Sequence, residues 1–156
     1  MLSESRAIEG YLVEQYGKSD SLYPRDPKKR AKVNQMLYFD IGTLYGRVGD
    51  YIFTVYREQR KDMGKFASME EALSIFDSMM NGQRWVAGDN ITIADYTMAV
   101  SVTTAEIAGM DIAKYPNVKQ WFDNSKKAIS AYEEYFNNGA KIFKEHFDKA
   151  AEKLKK

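Results

Sequence analysis

The feature that most constrains this chain is a ten-residue run, Tyr96-Thr97-Met98-Ala99-Val100-Ser101-Val102-Thr103-Thr104-Ala105, which is apolar or small on nearly every side when wound as a helix. Such a helix has no face suited to water and belongs at the centre of a bundle. Its start is marked by Thr92 and Asp95, spaced as a capping box. The Thr hydroxyl can accept the amide of residue 95 while the carboxylate reaches back to the amide of Thr92, with Ile91 and Tyr96 placed as a hydrophobic staple. The pair is read as structural and is assigned no chemistry.

The rest of the sequence supplies helices to surround that centre. Apolar residues recur at three and four rather than two, strand signals are nearly absent, and the fold class is therefore all-α. A first helix begins near Glu4, carries Ile8, Tyr11, Leu12 and Tyr16 along one side, and is expected to stop at Gly17 in a left-handed conformation. Asp26 caps and Pro27 opens a long helix that the pattern carries to about Gln59. Its apolar face includes Val33, Met36, Leu37, Ile41, Leu44, Tyr45, Val48, Ile52 and Val55. Gly42, Gly46 and Gly49 each cost about 1 kcal/mol relative to Ala there, which suggests close approach by something else.

Ser68 with Glu71 reads as a capping box opening a further helix that closes at Asn81-Gly82. Asn117 with Gln120 reads as the cap of a helix bearing Val118, Trp121 and Phe122. Ser130 with Glu133 repeats the box before Tyr135 and Phe136, Asn138-Gly139 marks a turn, and Ala140 to Lys156 spaces Ile142, Phe143, Phe147, Ala150 and Leu154 as an amphipathic tail.

Composition narrows function mostly by exclusion. The chain has 156 residues, with 23 Lys+Arg against 22 Asp+Glu, so no strong field points to nucleic acid or to a membrane surface. No apolar run approaches the ~18 residues of a membrane span, and a cytoplasmic location is the simplest expectation. Cysteine is absent, and the single histidine, His146, has no second imidazole with which to share a metal, so no metal site is expected. The basic run from Pro27 to Val33 is read as the solvated first turns of a helix. No paired carboxylates or nucleophile with a base stand out as a catalytic constellation.

Several segments carry a resemblance. Glu4-Ser5-Arg6-Ala7-Ile8, Tyr11-Leu12, Gln15-Tyr16-Gly17-Lys18 and Leu22-Tyr23-Pro24 resemble the segment that joins the two domains of delta/epsilon-class glutathione transferases of insects. The similarity continues through Arg30-Ala31, Leu37-Tyr38-Phe39-Asp40 and Gly42-Thr43-Leu44-Tyr45. Ala87-Gly88-Asp89 with Ile91-Thr92-Ile93-Ala94-Asp95 resembles the family's buried capping-box segment, and Tyr115-Pro116-Asn117-Val118 with Trp121-Phe122 its next helix.

The resemblance implies a C-terminal-type helical domain over residues 18–156, preceded in residues 1–17 by the last helix of a thioredoxin-like βαβαββα domain that the sequence otherwise lacks. It implies glutathione as co-substrate, its γ-glutamyl end held at Glu4, Ser5 and Arg6, and thiolate addition to hydrophobic electrophiles as the ancestral, detoxification-type reaction. An apolar wall for the second substrate falls on Tyr45, Val48, Ile52 and Phe53, with Phe147 approaching from the tail. Arg6 and Asp40 fall near the two-fold interface of a dimer. The thiol-activating Ser of the family lies in the other domain, so no catalytic residue is nominated here, and the chain is expected to be inactive alone. The alternative is a non-catalytic module that binds hydrophobic ligands or oligomerises. On either reading the expected partners of the chain are hydrophobic small molecules and a second copy or the thioredoxin-like domain.

Overall fold

A computed structural model describes residues 1–130 and 132–155, except for the side chains of Tyr135 and Lys155. Among the described residues seven α-helices follow one another: α1 (Ser5–Tyr16), α2 (Pro27–Phe39), α3 (Tyr45–Tyr56), α4 (Met63–Met79), α5 (Ile93–Ile107), α6 (Pro116–Ala128) and α7 (Asn138–Glu152). Among the described residues the one extended pairing is an isolated bridge between Trp85 and Gly88. The fold is the all-helical bundle that the periodicity calls for.

Helix α5 lies at the centre, packed against α1, α2, α3, α6 and α7. Ile93, Ala94, Met98, Ala99, Val102 and Ala105 are all buried on it. Around it Phe76 of α4 meets Trp121 of α6 edge-on at 5.1 Å between ring centroids, an arrangement aromatic pairs favour. The capping box at Thr92 is present, and the Asp95 carboxylate accepts from the Thr92 amide at 2.8 Å. It also accepts from the Val86 amide at 3.0 Å and from Trp121 Nε1 at 2.9 Å. One carboxylate thereby ties a loop, α5 and α6 together.

Several local expectations are corrected. The long helix is not uniform: between α2 and α3 the backbone widens into a π-helical turn over Asp40–Leu44, a form that is rare and concentrates at functional sites. Gly17 is extended rather than left-handed. Gly42 and Gly49 have open space where a Cβ would stand, and Gly46 faces only the Ile41 carbonyl of its own turn; among the described residues nothing else comes within 4 Å of those points. Ser68 and Glu71 lie inside α4, which Asp62 caps by accepting from the Lys65 amide at 3.0 Å. Glu71 instead pairs with Arg47 at 2.7 Å.

Asn117 and Gln120 do not cap α6. Its first amides, those of Asn117 and Val118, donate across the bundle to Asp77 of α4 at 2.8 and 3.0 Å, so the cap is tertiary and invisible to a local pattern. Ser130 and Glu133 precede no ordinary first turn, because Tyr132–Asn137 forms a second π-helical segment that runs on into α7. Asn138-Gly139, expected as a turn, is the start of that helix. The Tyr135 side chain and Lys156 fall outside the described residues.

Candidate functional site

Polar groups gather where the start of α1 meets the π turn and α5. Glu4, just ahead of α1, has φ 70° and ψ 110°, a left-handed conformation that costs an ordinary residue roughly 1–3 kcal/mol and clusters at functional sites. It begins the helix by accepting the Ile8 amide at 3.0 Å. Arg6 donates to Ser5 Oγ at 2.9 Å and forms an ion pair with Asp40, while its guanidinium lies 5.3 Å from the centroid of the Tyr45 ring.

Asp40 has no exposed side-chain surface. Burial pushes its carboxyl above the ordinary Asp value, and the nearby Ser101 hydroxyl and Arg6 offset part of that rise. Even so, Asp40 Oδ1, Arg6 Nε and Ser101 Oγ are buried with no hydrogen-bond partner among the described residues. One turn along α1, Glu9 accepts from Thr97 Oγ1 of α5. Burial raises Glu9 too, with Thr97 and Arg6 opposing and Asp40 adding to the rise.

The corner thus unites Glu4, Ser5, Arg6 and Asp40, all nominated from sequence, with Glu9, Thr97 and Ser101, which were not. Thr97 and Ser101 stand four apart within the otherwise apolar or small run from Tyr96 to Ala105, so they share one face. That spacing was the available signal. Arg6 and Asp40, expected near a two-fold interface, contact each other within the chain, and the Asp40 side chain has no exposed surface.

The five residues of the expected apolar wall divide. Tyr45 and Phe53 are 42% and 50% exposed, and Ile52 is half-buried. Val48 is wholly buried and Phe147 nearly so, which makes both part of the core and leaves a ligand no surface on Val48. Phe147 packs edge-on to Tyr56 at 6.0 Å, and Phe143 lies 6.2 Å from the same ring. Tyr56 and Phe143 therefore join the aromatic set, and the four-residue steps 52/56 and 143/147 were its sequence signal. Tyr45 touches both regions, since it is exposed and lies beside Arg6. Among the described residues no cluster of His, Asp and Glu could hold a metal ion, and no helix is long and apolar enough to cross a membrane.

With this geometry in view, comparison with known proteins is direct. The family model "Glutathione S-transferase, C-terminal domain" matches residues 30–125. A delta-class glutathione transferase of Nilaparvata lugens is 43% identical, superimposes with a TM-score of 0.92, and is matched over 96% of this chain and 70% of its own. A Bombyx mori glutathione transferase is 40% identical with a TM-score of 0.87, over 92% of this chain and 68% of its own. An epsilon-class enzyme of Musca domestica is 31% identical with a TM-score of 0.88, over 96% and 70%. The chain belongs to the glutathione transferase family, carries its C-terminal helical domain, and stands close to the insect delta and epsilon classes.

Proposed function

We propose that this chain is the electrophile-side half of a cytoplasmic, detoxification-type glutathione transferase and does not conjugate glutathione by itself. The observation that carries the reading is the match at 43% identity over 96% of the chain to a delta-class transferase. In this reading residues 1–17 belong to a thioredoxin-like unit and residues 18–156 form the helical domain. The start of α1 presents Ser5 and Arg6, and the partial positive charge of a helix N-terminus favours a carboxylate at that place. That suits the γ-glutamyl end of glutathione. The strained Glu4 backbone supports the same assignment.

The exposed faces of Tyr45, Ile52 and Phe53 would then receive the hydrophobic co-substrate, by removing apolar surface from water at about 25 cal/mol per Å2. Conjugation further requires the thiol to ionise near neutral pH, which takes a donor or positive charge beside the sulfur. We assign that donor to the thioredoxin-like domain and none of it to this chain. A dimer is part of the proposal.

Titration of the purified chain with glutathione and with S-hexylglutathione, beside a conjugation assay with 1-chloro-2,4-dinitrobenzene, tests the reading. The expected result is binding of the hexyl derivative with no turnover. Saturable glutathione binding with turnover overturns the claim of incompetence. Failure of both to bind favours the second reading, a non-catalytic interaction module, for which the exposure of Tyr38, Ile41, Tyr45 and Phe53 along α2, the π turn and α3 is the supporting observation.

A further inference from the structure

The sequence contains two Asn-Gly steps, Asn81-Gly82 and Asn138-Gly139, and the fold puts them in different surroundings. Asparagine is thermolabile because its side-chain carbonyl carbon lies within reach of the amide nitrogen of the next residue. Glycine, with no Cβ, shields that nitrogen least. Whether the reaction proceeds then depends on whether the backbone lets the two atoms meet.

At Asn81-Gly82 it does. The pair follows α4 in a turn where the Asn81 amide donates to the Ser78 carbonyl at 3.3 Å and the Gln83 amide to the Met80 carbonyl at 2.9 Å. Between them the Gly82 amide has no backbone acceptor among the described residues. Both residues are exposed, Gly82 is left-handed at φ 72°, and nothing lies within 4 Å of the point where its Cβ would stand.

Asn138 and Gly139 are exposed as well, so access to water does not separate the two steps. Here, however, the π-helical segment Tyr132–Asn137 runs on into α7, and helical geometry directs the Gly139 amide at the preceding turn. Side chains on a helix tilt the same way, and Asn138 Nδ2 donates to the Glu134 carbonyl at 2.8 Å. The carboxamide is thereby turned away from the nitrogen that would attack it.

We propose that Asn81 is a site of spontaneous deamidation in the folded chain and that Asn138 is protected. Hydroxide takes the proton of the Gly82 amide, the nitrogen bonds to Asn81 Cγ, and the Asn81 amide group leaves as ammonia with a proton from water, which regenerates the hydroxide. Water then opens the resulting succinimide ring at either carbonyl, leaving aspartate or isoaspartate. Either product adds a carboxylate, so the formal net charge falls from +1 at pH 7 to zero, and the charge that opposes self-association is lost. The new anion also stands just past the C-terminus of α4, where the helix dipole disfavours it. The site uses neither glutathione nor the polar corner at α1 and does not depend on the transferase reading.

Incubation of the whole chain in mildly alkaline buffer, followed by peptide mapping with mass spectrometry, tests the proposal. A gain of one dalton at Asn81 is expected, at a rate that rises with hydroxide and is at least tenfold that of Asn138. In urea the two rates should draw within threefold of each other, because unfolding releases the Asn138 carboxamide. Asn81→Gln should suppress the acidic isoform that accumulates on isoelectric focusing. Absence of the gain at Asn81, conversion of Asn138 as fast as Asn81 in the folded chain, or an undiminished acidic isoform in Asn81→Gln each overturns the site. A tenfold gap that persists in urea overturns it too, since the local sequence and not the fold would then set the difference.

Discussion

Asp95 and Asp40 are both fully buried, and the chain treats them in opposite ways. The Asp95 carboxylate accepts from the amides of Val86 and Thr92, the Thr92 hydroxyl and the Trp121 indole. Asp40 faces one guanidinium and, among the described residues, keeps Oδ1 without a partner. A saturated buried carboxylate works as a structural hub, whereas a buried ion pair with unfilled valences adds little net stability, because desolvation offsets the Coulomb gain. The Asp95 region is scaffold. The α1 corner spends polar groups on holding side chains in position.

The harshest test of that contrast is Asp95→Ala. It strands four donors in the core, each worth roughly 1–3 kcal/mol when left unsatisfied, so a loss of at least ~4 kcal/mol is expected from urea denaturation. A loss below ~1 kcal/mol would end the description of Asp95 as a hub. Arg6→Met comes next. It leaves Asp40 buried and unpaired, at a cost of about 3 kcal/mol, while the double change Arg6→Met with Asp40→Leu should recover most of it. If the double variant is no better than the single one, the pair contributes more than position.

A gentler probe is pH. Burial raises Asp40 above its ordinary value of 3.8 and Glu9 above 4.5, so the folded chain holds these protons more tightly than the unfolded chain. Their contribution to stability is fully present below those values and is lost as pH rises through the elevated folded-state values. Denaturant titrations from pH 4 upward should show stability falling for this reason, less steeply in Asp40→Asn. Equal slopes in the two proteins would remove Asp40 from the account. Because burial also raises Asp95, some slope should survive in the variant.

The smallest effect separates the chain from its surroundings. A methyl group at Gly49 meets nothing within 4 Å, so Gly49→Ala should stabilise an isolated chain by up to ~1 kcal/mol. Destabilisation, or a shift in sedimentation toward monomer, would show that another molecule packs on that side of α3.

How much of this was legible beforehand varies by region. The central helix announced itself through Tyr96 to Ala105, and the Thr92/Asp95 box through its three-residue spacing, because both are local patterns with one good structural solution. The start of α1 was found by resemblance, since Glu4, Ser5 and Arg6 are unremarkable residues near a terminus. Glu9, Thr97 and Ser101 escaped notice: a carboxylate on a charged helix and two hydroxyls in an apolar one say nothing of each other until α1 is laid on α5.

The sequence alone determined the helices, their apolar faces and the helix that had to be innermost, because period and capping act over a few residues and need no partner. Only the tertiary structure decided where the long helix widens at Asp40, that Asp77 of α4 caps α6, and which wall residues sink into the core. Those outcomes depend on groups far apart in the chain competing for the same donors and the same space, and no local pattern records which of them prevails.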